Sequence, residues 1–240
     1  MLIILRTGAV GVAVSLLLGA LSPVCAGEPP WITAGDLPIS NFLLDPPCDS
    51  CRVTMAELAE LFELQRSRTT EMTSHAQKDY ERTLSRFLDD PRINLPTEKI
   101  RECATCSAFF ARLKDSIEAV NEVAKNKFHR VRPYKLPNNG LVPLKEIKPD
   151  DSPSYPSGHA AFAALTGIML AQMVPERRTE IFERVKDYCN SRLVSGVHFR
   201  SDVDAGQVLG SVIAAWLFRN EGFKRDFETT KTELRKALGM

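Results

Sequence analysis

Net charge is the first thing this sequence lacks. Lys and Arg number 31 against 30 Asp and Glu, leaving +1. No whole-molecule field therefore draws the chain to nucleic acid or to an acidic membrane surface, and any affinity for an anion has to come from charges gathered locally. Alternating strand patterns of useful length are missing too, as are internal repeats. The N-terminus carries Arg6, then an uncharged, mostly apolar run from Ala9 to Leu21 that leads to Val24-Cys25-Ala26. That run falls short of the roughly 20 apolar residues of a spanning helix. It has the layout of a secretory signal peptide over residues 1–26, with cleavage expected after Ala26 and a periplasmic or secreted product. After cleavage no run remains that could cross a bilayer.

Removing residues 1–26 leaves Cys48, Cys51, Cys103, Cys106 and Cys189, an odd number in a compartment that favours disulfides. One thiol is expected to stay unpaired, and Cys189, on the apolar side of a predicted helix, suits a buried free thiol. The two C-x-x-C pairs read as disulfides or as a zinc site, and disulfides are the preferred reading because a long stretch of helical pattern separates the pairs. Four cysteines allow three connectivities.

With 44% apolar and 25% charged residues, what remains is an ordinary globular composition for one domain. Residues 27–53 are rich in proline and lack periodicity, which predicts an extended lead-in strapped over the domain without a core element. From residue 54 to 240 the pattern is helical. Thr54 and Glu57 make a capping-box pattern before Met55, Leu58, Leu61 and Phe62, predicting a helix to about Arg66. Further helices are predicted over Ser74 to Leu88, on the thin stripe Tyr80, Leu84 and Leu88, and over Ser107 to Phe128. Six prolines between Pro133 and Pro156, with Asn138-Asn139-Gly140, make that stretch a long connection, and such loops are commonly functional. His159 to Met173 is almost wholly apolar and reads as a central helix buried on all sides. Three more helices are predicted over Arg178–Val194, Asp202–Phe218 and Gly222–Leu238, with Ser201 and Asp204 marking the start of the middle one. The fold class is all-α, a single-domain helical bundle.

Three segments gather cations, histidines or exposed amides where helices begin or end: KNKFHRVRP, SYPSGH and SRLVSGVHFRSDVD. A transferring phosphoryl group spreads negative charge over its equatorial oxygens, and Lys125, Arg132 and Arg192 could supply the cations to meet it. Ser157 and Gly158 open the buried helix, where unsatisfied amides and a missing side chain allow close approach of an anion. His198 with Asp202 suits an oriented nucleophile, because a carboxylate on one ring nitrogen fixes the tautomer and stabilises the charge that develops. His75 and His129 fall outside these segments and read as surface or boundary residues. Asp204 could compete with Asp202 for His198, but helix capping accounts for it better. Trp31 and Trp216 read as packing side chains.

In these three segments the sequence resembles the bacterial class A non-specific acid phosphatases, within the phosphatidic-acid phosphatase type 2 and vanadium haloperoxidase superfamily. The matching positions are Lys125, Arg132 and Pro133; Pro156, Ser157, Gly158 and His159; and Ser191, Arg192, His198 and Asp202. Tyr155 is also typical, whereas Pro153 stands where a glycine is usual. The resemblance implies a metal-independent acid phosphatase without cofactor, in which Lys125, Arg132, Ser157, Gly158 and Arg192 hold phosphate. By the same resemblance His159 protonates the leaving alcohol and His198 is phosphorylated while Asp202 orients it. The partners implied are small phosphomonoesters and inorganic phosphate as product, with no nucleic acid; a homo-oligomer is compatible with the sequence. Two other readings belong beside it: a vanadium-dependent haloperoxidase, since vanadate mimics phosphate, and an exported protein that binds phosphate without turnover.

Overall fold

The computed structural model describes residues 29–33, 35–137, 140–144 and 152–240. The predicted signal peptide, its cleavage site, the Asn138-Asn139 pair and residues 145–151 of the long connection lie outside them. Among the described residues there is no strand, and the fold is all-α as expected: α1 (Arg52–Ser67), α2 (Thr70–Lys78), α3 (Leu84–Leu88), α4 (Thr97–Glu102), α5 (Ala104–Phe128), α6 (Gly158–Met173), α7 (Arg178–Val194), α8 (Arg200–Leu217) and α9 (Glu221–Leu238).

α6 is the axis of the molecule. Its run of alanines leaves no polar face, and only His159, Ile168 and Gln172 reach its boundary or surface. The Ser157 hydroxyl caps it by accepting from Ala160 N at 3.4 Å. It ends at Met173 because Pro175 disfavours helical backbone in the residue before it. α8 lies along α6 at very short range, and two glycines one turn apart make this possible. A Cβ at Gly206 would collide with the Ser157 carbonyl, and one at Gly210 with the Ala161 carbonyl. α7 packs on another side of α6, with α5 and α9 closing the bundle.

Four expectations need correction. Thr54 does not cap α1, which begins at Arg52 with Cys51 at its N-cap; the Thr54 hydroxyl instead donates to Cys48 O at 2.8 Å, and Glu57 is buried against Arg130. The helix predicted over 74–88 is two helices, α2 and α3, because the chain turns at Asp79, whose carboxylate is taken by arginines from α3 and α7. The short α4 was not anticipated. The lead-in does enter the core: Trp31, Ile32, Leu37, Ile39 and Leu43 are buried, and the Trp31 ring packs 5.1 Å from Phe109 and 5.2 Å from Phe223. Its proline content fixes an extended path, but its apolar side chains decide its burial. One disulfide, Cys103–Cys106, is local to the start of α5, whereas Cys48 and Cys51 are free thiols, so only one of the two C-x-x-C pairs is bridged. Cys189 is free and buried, as expected.

Candidate active site

A cleft of about 630 Å³ lies over the N-terminus of α6, and Lys125, Arg132, Gly158, His159, Arg192 and His198 all line it. Four separate pieces of chain bring them there: the C-terminal turn of α5 and the strap after it, the first turn of α6, the last turn of α7, and the loop from α7 to α8. Arg192 is 1% exposed and donates from Nη2 to the Ala76 carbonyl at 2.9 Å. Its Nε has no acceptor, and among the described residues no carboxylate pairs with it. A buried guanidinium in that state favours an anion beside it, because its charge is desolvated and no carboxylate answers it. Arg132 donates to Ser152 O, Ser152 Oγ and Val197 O, each at 3.0 Å. The Lys125 ammonium is held by the Pro153 carbonyl, so the proline that stands where a glycine was expected anchors this cleft cation through its backbone.

His198 is buried, with Nε2 3.0 Å from Arg132 Nη1. A guanidinium can only donate, so Nε2 carries the lone pair and the ring proton sits on Nδ1. That is the tautomer a nucleophile requires. Nδ1 faces Asp202 Oδ2 at 3.5 Å, and the Ser154 backbone also acts on the ring, favouring its protonated form. Burial, then the charges of Arg132, Lys125 and Arg192, push the His198 pKa well below its ordinary value. His159 is lowered in the same way, by burial first and then by Arg192 and Arg82, while its Nε2 lies 3.0 Å from the Tyr80 carbonyl.

Residues 116–226 match the PAP2 superfamily. That stretch, just under half of the chain, is similar to a PAP2 superfamily domain. Over 112 residues it is 37% identical to a non-specific acid phosphatase of Salmonella typhi, covering 46% of this chain and 45% of that one. Over 115 residues it is 34% identical to an acid phosphatase of Zymomonas mobilis, covering 48% and 44%. The chain thus spans about half the length of the curated relatives it matches. Among solved structures, a transmembrane PAP2-type phosphatidylglycerolphosphate phosphatase from Bacillus subtilis superimposes with a TM-score of 0.51 at 21% identity, over 74% of this chain and 89% of that one, a likeness of fold. Among the described residues here, no helix is long and apolar enough to cross a membrane.

Two predicted site residues stand behind the wall of the cleft and not in it. Ser157 is fully buried, caps α6 and donates its N–H to the Asp202 carbonyl at 2.9 Å. Asp202 is also fully buried; one carboxylate oxygen accepts from Arg130 Nη1 at 2.7 Å, the other from Phe199 N at 2.8 Å and from the Ser154 hydroxyl. Burial pushes its carboxyl up against the pull of Arg130 and the other donors. Asp202 rather than Asp204 therefore holds the start of α8, which begins at Arg200. Asp204 is exposed, with Arg200, Glu57 and Glu60 for charged neighbours, and Ser201 accepts from Arg130 at 2.7 Å. Ser191 points away from the cleft to Asp79 at 2.6 Å.

Motif reading missed Arg130, Glu57, Asn121 and Tyr80. Arg130 stands between two motif positions, yet spacing along an irregular strap does not reveal that its side chain turns inward. There it spans Asp202, Thr54 and Glu57, with its guanidinium 4.1 Å above the Phe199 ring. Asn121 could have been found from its position one turn before Lys125 on the same helix face; its amide lies against Gly158, where a Cβ would come within 2.9 Å of it.

Proposed function

We propose that the chain is an exported acid phosphatase, released by cleavage after Ala26, that hydrolyses phosphate monoesters through a phosphohistidine on His198. The observation that carries this reading is the meeting in one cleft of a lone-pair-bearing His198 Nε2 and the buried Arg192, which no carboxylate among the described residues pairs with. The phosphoryl group sits among Arg192, Arg132 and Lys125 with the amides at the start of α6 beneath it, so its charge is met by fixed cations and a helix terminus and the reaction requires no metal ion. Arg132 gives up His198 Nε2 to bond the phosphate oxygens instead. Nε2 then attacks phosphorus, the P–O bond to the alcohol breaks, and His159 delivers a proton to the departing oxygen. The Asp202 carboxylate, oriented by Arg130, stabilises the imidazolium. Water then attacks the phosphohistidine, His159 takes its proton, and inorganic phosphate leaves.

Assay of the purified mature protein with p-nitrophenyl phosphate and excess EDTA tests this reading. Activity is expected to survive the chelator and to be lost in His198→Ala, because no neighbouring side chain can accept the phosphoryl group. Loss with EDTA and rescue by zinc, or turnover by His198→Ala near the wild-type rate, would overturn it.

A further inference from the structure

Residues 76–82 close the back of the cleft and lie outside both the PAP2 match and the three motifs. Two of their backbone carbonyls reach the site: Ala76 O accepts from Arg192 at 2.9 Å, and Tyr80 O lies 3.0 Å from His159 Nε2. A carbonyl can only accept, so the second contact keeps a proton on Nε2 and leaves Nδ1 as the nitrogen that gains and releases one. Without the Tyr80 carbonyl the ring would be free to exchange tautomers.

A buried carboxylate is the main anchor of this segment. Asp79 is fully buried and accepts from Arg184 Nη1 and Nη2 at 3.0 and 2.6 Å, from Arg86 Nε at 2.8 Å and from Ser191 Oγ at 2.6 Å. Arg184 and Ser191 belong to α7, the helix that also carries Arg192, so Asp79 bolts the end of α2 to the element whose last turn forms part of the proposed anion site. The turn after it is pinned twice more, by the Tyr188 hydroxyl on Glu81 O and by the Arg82–Glu118 ion pair at 3.0 Å. Burial is the largest influence on the Asp79 carboxyl and pushes its pKa up. His75, Arg184 and Ser191 together outweigh it and hold the group well below the usual carboxylate range, so it remains an anion in acid.

From this geometry we infer that Asp79 is a positioning residue: it holds the Ala76 and Tyr80 carbonyls where they aim Arg192 at the phosphate and His159 at the leaving group. The inference rests on the role of His159 proposed above. Its test is the pre-steady-state burst with two substrates, p-nitrophenyl phosphate, whose leaving group departs unaided, and an alkyl phosphate, whose leaving group needs the acid. Asp79→Asn is expected to lose roughly tenfold more rate on the alkyl phosphate than on the aryl one, in the same sense as His159→Ala, and to bind inorganic phosphate more weakly. Equal losses on both substrates would mean that Asp79 serves the fold alone and would overturn the inference. If His159→Ala discriminates between the substrates and Asp79→Asn does not, the inference fails while the role of His159 stands. If His159→Ala does not discriminate, both fall. Should Asp79→Asn not fold, Ser191→Ala removes one donor from Asp79 while keeping its arginine pairs; it is expected to show the same discrimination to a smaller degree, and equal losses there would overturn the inference too.

Discussion

Arg130 illustrates how much of this site depends on a side chain that never touches the cleft. Its two Nη atoms answer two buried carboxylates, Asp202 and Glu57, so removing it strands both. Breaking a buried pair in this way costs about 3–5 kcal/mol. Arg130→Met is therefore expected to lower urea stability by that order and to reduce turnover through Asp202, whereas Arg130→Lys restores little, because an ammonium lacks the planar fork that reaches both acids. Wild-type stability in Arg130→Met would contradict this. The cysteines allow a second check. Donation from the Thr54 backbone, the largest influence, brings the Cys51 thiol down to about 7, while burial pushes Cys189 up to about 12. Iodoacetamide at pH ~7.5 should label Cys51 in the native protein and Cys189 only after unfolding. Native labelling of Cys189, or no labelling of Cys51, would contradict the arrangement.

Among the elements, the contact between α6 and α8 sets the geometry of the proposed anion site, since the Ser157 carbonyl that Gly206 leaves room for belongs to the N-cap of α6. Gly206→Ala is expected to push the two helices apart, at a cost of about 1–3 kcal/mol, and to weaken phosphate binding at the displaced helix terminus. Unchanged stability and phosphate affinity would mean that the contact can relax without consequence. The long core helices were legible in the sequence, α5 from its three-and-four spacing and α6 from its unbroken apolar run, as were the cleft residues that motifs bring together. The turn at Asp79 was not. Tyr80, Leu84 and Leu88 kept a helical period across it, and an isolated acid in a polar stretch carries no mark of being buried by arginines from elsewhere in the chain. Nor does proline content betray a strap whose Trp31 completes the aromatic core.

Across the whole molecule, activity and stability pull in opposite directions with pH. His159 and His198 both have folded pKa values below the ordinary ~6.5 of the unfolded chain. As pH falls below ~6.5 the unfolded chain takes up protons that the folded one refuses, and stability drops. Asp79 adds to the loss at still lower pH, as its depressed folded pKa is crossed, while the raised carboxyls of Asp202 and Asp204 offset part of it. In the proposed mechanism turnover needs His159 protonated, so the same depression is expected to move the rate maximum to the acid side. Inorganic phosphate, bound only by the folded state, should raise the thermal midpoint; scans at pH 5 and 7 with and without it check this, and no shift with phosphate would count against the cleft as its site.

The claim on which the account turns is the covalent intermediate. Rapid quenching of the protein with a labelled phosphate monoester, followed by peptide mapping, tests it most directly. The account predicts acid-labile, base-stable phosphate on His198, absent from His198→Ala and accumulating in His159→Ala; label on His159, or a burst of alcohol release with no phosphate on the protein, would contradict it.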